Sequence, residues 1–188
     1  MPSNWSKGFT KKTHPSVLKI SRTMRERKID NFKKWRDEMK RCGWIRSSYP
    51  PLKKNGDLAE LIGVIIGDGN IQRFPRTERL LIFANADNHG FIERYSELLE
   101  RVFRKKPTAF LQKGKRCVRI GIYEKQISSR LGIPTGSRKD VRYKVPSWIL
   151  SRQEYLIRYL RGLYEAEGSF SIHKPTYTYK FSFSNKNQ

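Results

Sequence analysis

Apolar positions along this chain follow two periods, and the changes of period mark out the elements. Leu58, Leu61, Ile62, Val64, Ile65 and Ile66 crowd a helical run that closes at Asp68-Gly69. Tyr155, Leu156, Ile157, Tyr159, Leu160 and Leu163 do the same up to Glu167-Gly168. From Asn88 to Arg104 the stripe Phe91, Tyr95, Leu98, Leu99, Val102 and Phe103 predicts an amphipathic helix. Alternation predicts strands at 70–74 and 79–85, joined by Pro75-Arg76-Thr77-Glu78. It predicts a second hairpin at 108–111 and 117–123, turned by Lys113-Gly114-Lys115-Arg116. A short helix over 125–131 stops at Gly132, and strands follow Gly168. Ahead of all this, Val17, Ile20 and Met24, then Ile29, Phe32, Trp35 and Met39, sit at helical spacing. A helix is expected from Asn31 to Arg41 with Gly43 as its stop, and His14 reads as a cap or turn residue.

Two of these runs are the same run. With Asp68 set on Glu167, Gly69 meets Gly168, Gly67 meets Ala166, Gly63 meets Gly162 and Leu61 meets Leu160. Asp57 with Glu60, and Ser151 with Glu154, read as capping boxes. Gly69 and Gly168 stand where a left-handed residue would end each helix. Ala59, Gly63 and Gly67 fall on one face at four-residue spacing, and Gly162 and Ala166 keep that face in the second copy. A face this small lets two helix backbones approach closely, so the copies are expected to pack as a pseudo-symmetric pair. Asp68 and Glu167 would then meet at one end. An acid in the last helical turn faces the negative end of the helix dipole, and two acids there repel. A hard divalent cation, Mg²⁺ or a metal pair, would relieve both. The plainer alternative is two core helices that happen to end in acids.

The duplicated motif resembles the motif helix of the LAGLIDADG homing endonucleases, at Leu58 to Gly69 and Ile157 to Gly168. The resemblance spans about residues 55–188. It implies an α+β fold built from αββαββα units with a pseudo-two-fold repeat. It also implies that Asp68 and Glu167 are metal-binding catalytic acids, with the carbonyls of Gly67 and Ala166 as further ligands. Arg119 and Asp87 are the candidates for support of the catalytic pocket. Measured against the first copy, the second lacks about 60 residues, so the chain is expected to be a fragment, a degenerate product, or a fold completed by another chain. A complete version would be a pseudo-symmetric monomer.

Charge narrows the partner. The chain carries a net charge of +23 with 12% aromatic residues, and a globular chain this basic calls for a polyanion. Residues 1–47 hold 14 Lys or Arg against 4 Asp or Glu, a net of +10. This stretch reads as a basic arm or DNA-binding module, set off by Tyr49-Pro50-Pro51. It bears a faint likeness to small nuclease-associated modules at Gly8 to Ile20. The first repeat is expected over 52–150 and the start of the second over 151–188. No apolar run reaches transmembrane length and no signal peptide opens the chain. A cytoplasmic, nucleoid-associated or organellar protein is expected, with Cys42 and Cys117 reduced. A ribosomal or basic structural protein is the bland rival on charge alone.

A two-stranded ribbon fits the major groove, where Arg and Gln read base edges. Gln72, Arg73, Arg76 and Arg79 on the first hairpin, and His173, Lys174, Tyr177, Tyr179 and Lys180 on the last, are the candidate DNA contacts. Lys113, Lys115 and Arg116 at a hairpin tip are expected to hold phosphate. A basic loop at 137–144 precedes the second motif helix. The expected function is site-specific, divalent-metal-dependent cleavage of double-stranded DNA, from an intron-encoded or free-standing gene. The alternatives are a maturase that assists an intron RNA and a non-catalytic DNA-binding regulator. An intein-embedded nuclease is not expected, since neither end carries splicing residues.

Overall fold

The computed structural model describes residues 7–46, 48–136 and 143–184. The chain divides into two compact units, residues 1–48 and 49–188. In the first, Pro15 starts helix α1 (Pro15–Glu26), and His14 caps it by accepting the Ser16 N–H at Nδ1 over 3.2 Å. A turn through Lys28 leads to α2 (Lys33–Arg41), and Gly43 ends the pair at φ +77°. Neither helix buries a residue. The helical spacing of Ile20, Ile29, Phe32 and Trp35 therefore marks exposed stripes in this unit, not a core.

The second unit runs α3 (Gly56–Asp68), β1 (Gly69–Arg73), β2 (Glu78–Asn85), α4 (His89–Phe103), β3 (Thr108–Leu111), β4 (Cys117–Glu124) and α5 (Ile127–Leu131). That is the αββαββα order the resemblance implies. Then α6 (Ser147–Leu150), α7 (Gln153–Glu167), β5 (Gly168–His173) and β6 (Thr178–Phe183) follow, so α7-β5-β6 repeats α3-β1-β2. The class is α+β. The first four strands form an antiparallel sheet in the order β1-β2-β4-β3, and β5-β6 form a separate hairpin. Ile71, Leu80, Ile82, Ile120 and Ile122 line one sheet face. They share a single core with Leu61, Ile62 and Ile65 of α3 and Tyr95, Leu98, Leu99 and Phe103 of α4.

The helix ends differ from the expectation in two respects. Neither capping box forms. Asn55 caps α3 by accepting the Leu58 N–H at 3.0 Å, and Glu60 turns instead toward two arginines. Ser151 closes α6 by donating to the Trp148 carbonyl at 2.8 Å, and α7 starts from Arg152 without a side-chain cap. The residue is claimed by the short helix immediately before. Nor are Gly69 and Gly168 left-handed. Both are extended, at φ −92° and −88°, because each helix passes directly into a strand. Their need for glycine is steric: a Cβ on Gly69 would sit 2.5 Å from the Ile65 Cα and carbonyl, and one on Gly168 2.4 Å from the Tyr164 ring.

Part of the basic loop expected at 137–144 lies outside the described residues, as do Ser47 and residues 185–188. Among the described residues no helix is long and apolar enough to cross a membrane.

Candidate nucleic-acid interface and acid pair

The small faces of α3 and α7 meet backbone to backbone. A Cβ added to Gly63 would lie 2.2 Å from the Tyr159 carbonyl and 2.9 Å from the Leu163 N–H nitrogen. One added to Gly162 would lie 2.1 Å from the Glu60 carbonyl and 3.0 Å from the Val64 nitrogen. Subtracting the 99-residue offset of the repeat turns Tyr159 into position 60 and Leu163 into position 64. The two contacts are therefore the same contact seen from either side, and a pseudo-two-fold axis relates the helices. On that axis a Cβ at Gly67 would touch the Ala166 Cβ at 2.3 Å and the Glu167 Cγ at 3.2 Å. Asp68 and Glu167 follow directly, one on each side, both half-buried. The structure thus brings these two expected acids to one helix junction. Among the described residues, no group of three or more His, Cys, Asp or Glu converges there or elsewhere.

At the other end of the pair the symmetry breaks. Glu60 is fully buried and accepts from Arg94 Nε of α4 at 2.6 Å and from Arg158 Nε of α7 at 2.5 Å. Arg158 also donates to Asp57 at 2.6 Å. Burial opposes the Arg158 charge, but the two carboxylates outweigh it and raise its pKa. Tyr95 of α4 donates to Glu165 at 2.9 Å. Burial, then the adjacent Glu165 charge, pushes its phenol far above the ordinary range.

The other face of the four-stranded sheet is open, polar and aromatic. Strand parity sets Asn70, Gln72, Arg79, Phe83, Arg119 and Tyr123 on it, in register Gln72–Arg79–Tyr123 and Phe83–Arg119–Phe110. Arg79 lies over the rings of Phe74 and Tyr123, 5.3 and 5.6 Å from their centroids. It donates from Nε and Nη2 to Gln72 Oε1 and from Nη1 to the Tyr123 hydroxyl. Arg119 lies between Phe83 and Phe110 and donates to Gln112 at 2.7 Å. Its Nε is buried with no hydrogen-bond partner. The row of Gly69 and Ile82 adjoins that of Phe83 and Arg119. The Arg119 strand position therefore falls one step from the end of α3, on the side of Asp68.

The remaining candidates scatter. Arg73 has the parity of the core face at an exposed strand end, and Arg76 sits in the turn. Lys113, Lys115 and Arg116 are exposed around Gly114 at φ +72°. Arg116 pairs with Asp87, so Asp87 serves to tie this tip to the loop after β2. On the last hairpin, Lys180 and His173 share a face with Ser169, Ser171 and Ser182, while Tyr179 joins Phe170, Ile172 and Phe181 on the other. His173 contacts Thr176 at 2.7 Å; Lys174 and Tyr177 lie in the intervening turn, with Tyr177 at φ +49°. Sequence reasoning missed Tyr123, Phe110 and Gln112. Period-two parity is the signal that could have found two of them, since it sets Tyr123 and Phe110 on the same face as Arg79.

No protein-family model matches the chain. Over 155 residues it is 30% identical to the replication factor C small subunit of Methanocaldococcus jannaschii, which is 76% of this chain and 8% of that protein. The chain thus spans under a tenth of that relative. Similar solved structures include the homing endonuclease I-DmoI with DNA and Mn, at TM-score 0.39 and 18% identity over 61% of this chain and 63% of that one. I-DmoI with DNA and Ca matches at TM-score 0.39 and 20% identity over 61% and 58%.

Proposed function

We propose that this chain is a site-specific endonuclease of double-stranded DNA that works with a divalent cation. The observation that carries the reading is the symmetric helix contact through Gly63, Gly162 and Gly67–Ala166, which ends in Asp68 on one side and Glu167 on the other. Two half-buried acids at one junction favour the binding of positive charge there. The donor set fits a hard cation such as Mg²⁺, which is commonly held by one or two carboxylates with phosphate oxygens and water completing its shell. When bound, such a cation polarises the phosphodiester and lowers the pKa of a water at the site.

The rest of the chemistry belongs to the chain's own residues. Asp68 and Glu167 hold negative charge at the junction and orient what binds there, one for each strand of a two-strand cut. The Arg119 guanidinium, clamped between two rings, offsets charge that builds on the phosphoryl oxygens. Gln72, Arg79 and the last hairpin contact the duplex, and Lys113 and Lys115 add sequence-independent phosphate affinity.

The test is Asp68→Asn and Glu167→Gln, each assayed for cleavage of a duplex drawn from a random library in Mg²⁺. Cleavage should fall to background in both, with DNA affinity kept and thermal stability equal or higher. Undiminished cleavage in both variants would sink the assignment. A wild-type chain that binds intron RNA tightly and cuts no DNA would favour the maturase.

A further inference from the structure

We propose that Tyr95 and Arg158 are positioning residues for Glu167: they fix the roll of α7 about its own axis, and with it the cutting of one DNA strand. This rests on the endonuclease reading above. The 99-residue offset of the repeat sets Arg158, Arg161 and Glu165 of α7 on Ala59, Ile62 and Ile66 of α3. The three α3 residues are buried members of the core. Where the first copy puts apolar side chains, the second therefore puts charges, and these reach across to α3 and α4. Arg158 spans two carboxylates of α3, from Nε to Glu60 at 2.5 Å and from Nη2 to Asp57 at 2.6 Å. Glu60 is held in turn by Arg94 of α4 at 2.6 Å. Seven residues beyond Arg158, Tyr95 donates to one oxygen of Glu165 at 2.9 Å, and Arg161 donates to the other at 2.8 Å.

Apolar burial is non-directional, whereas a hydrogen bond weakens steeply as it is bent. The small face sets how close α7 comes to α3. Side chains interlock little across glycine and alanine, so this face resists rolling less than one of large residues would. Behind it Ile157 and Leu160 are exposed, so among the described residues no layer steadies α7 from that side. At the start of the helix the Tyr155 ring meets Trp148 of α6 at 5.7 Å. The directional ties nearer its end are those of Arg158 and Glu165.

These ties act at a distance from the chemistry. Glu167 lies nine residues beyond Arg158, about 14 Å along the helix at 1.5 Å per residue. A small roll of α7 nevertheless carries the Glu167 carboxylate sideways, and a shift of about 1 Å at a reacting centre can cost about 100-fold in rate. Asp68 ends a helix whose apolar residues are packed in the core. Loosening α7 should therefore reach one acid and spare the other.

The experiment uses the full chain and two readouts. Amide hydrogen exchange without metal follows the last turns of α3 and α7, and cleavage of a plasmid carrying a selected target in Mg²⁺ follows each strand through end labels. Tyr95→Phe removes one hydroxyl and leaves Glu165 paired with Arg161. Arg158→Lys keeps the charge but has one nitrogen to span two carboxylates. Both variants should speed exchange at Ala166 and Glu167 by about tenfold and leave Gly67 and Asp68 unchanged. Both should slow the same single strand by roughly 10- to 100-fold, so that nicked plasmid accumulates. Leu131→Ala, a core change in α5, is the control: it should lower the melting temperature and keep the ratio of the two strand cuts. If wild type cuts and the variants slow both strands alike, or exchange rises equally in α3 and α7, the inference fails and the endonuclease reading stands. Nicking by Leu131→Ala would overturn it in the same way, since general loosening would then suffice. If wild type cuts no duplex at all, both fall.

Discussion

Leu61 and Leu160 hold the same place in the duplicated motif, yet Leu61 is 0% exposed and Leu160 50%. Leu58 and Ile157 differ likewise, at 3% and 57%. The hairpins repeat the contrast: Ile71 and Leu80 are buried, while their counterparts Phe170 and Phe181 are exposed. What the copies share is the small face through which they meet. What they do not share is the layer behind it. The first copy has α4 and four strands packed against its apolar residues, and the second has a lone hairpin. A two-stranded ribbon cannot bury a face by itself. The helix pairing and the core are thus separate achievements of this sequence, and the acids depend on the first.

The most severe way to break the shared feature is a single methyl group. Gly63→Ala and Gly162→Ala each thrust a Cβ to within 2.2 Å of a backbone carbonyl on the opposite helix. Backbone cannot step aside as a side chain can, so each should cost about 3 kcal/mol or more. For a chain of this size that is a fall of roughly 6–12 °C in melting temperature. Equal losses from the two variants would support the symmetric contact, and a loss from only one would break it.

The difference between the copies is read next. Leu61→Ala should cost about 2–5 kcal/mol, because it leaves a cavity in the core. Leu160→Ala should stay within about 0.5 kcal/mol. Thermal or urea unfolding checks both, and similar losses would show that the second copy's apolar face is covered in solution.

How far these features were legible in the sequence depends on how local they are. Element positions from Asn55 to Leu131 followed from periodicity, most clearly in α4, where Phe91, Tyr95, Leu98, Leu99 and Phe103 are buried along one side. Glu60 was misread because its partners, Arg94 and Arg158, lie 34 and 98 residues away. A capping box explains the same letters locally. The exposed stripes of α1 and α2 misled for the opposite reason, since their spacing says nothing about whether another layer covers them. Asp68 and Glu167 were legible because the repeat supplied the third dimension. The placing of Arg79 against Phe74 and Tyr123 was not, because the two rings come from different hairpins.

A milder effect comes from Tyr95, which links α4 to Glu165 of the second motif helix. Burial raises the phenol pKa in the folded state for Tyr95, Tyr143 and Tyr159. The unfolded chain therefore ionises first, and this contribution is fully present below about pH 10 and declines as pH rises above it. Tyr95→Phe should flatten that alkaline decline, as measured by urea unfolding between pH 8 and 11. An unchanged slope would contradict the assignment.

The smallest effect on stability, and one confined to binding, is expected at the tip of the second hairpin. Lys113→Ala with Lys115→Ala should reduce the salt dependence of DNA binding by up to about two units and leave sequence preference unchanged. Arg116, already paired with Asp87, should add less. A selective effect on one sequence would reassign these lysines to base reading.

The contact of Gly67 with Ala166 carries a lesson about inheritance. A residue on the axis faces its own counterpart, so in a symmetric pair of identical helices any change there arrives twice. With Cβ atoms at both places 2.3 Å apart, two alanines would collide; two glycines would leave a gap. Joining both copies in one chain removes that bind: one keeps its methyl group and the other gives way. Duplication here frees the central position to fill a space that neither copy could fill with its twin.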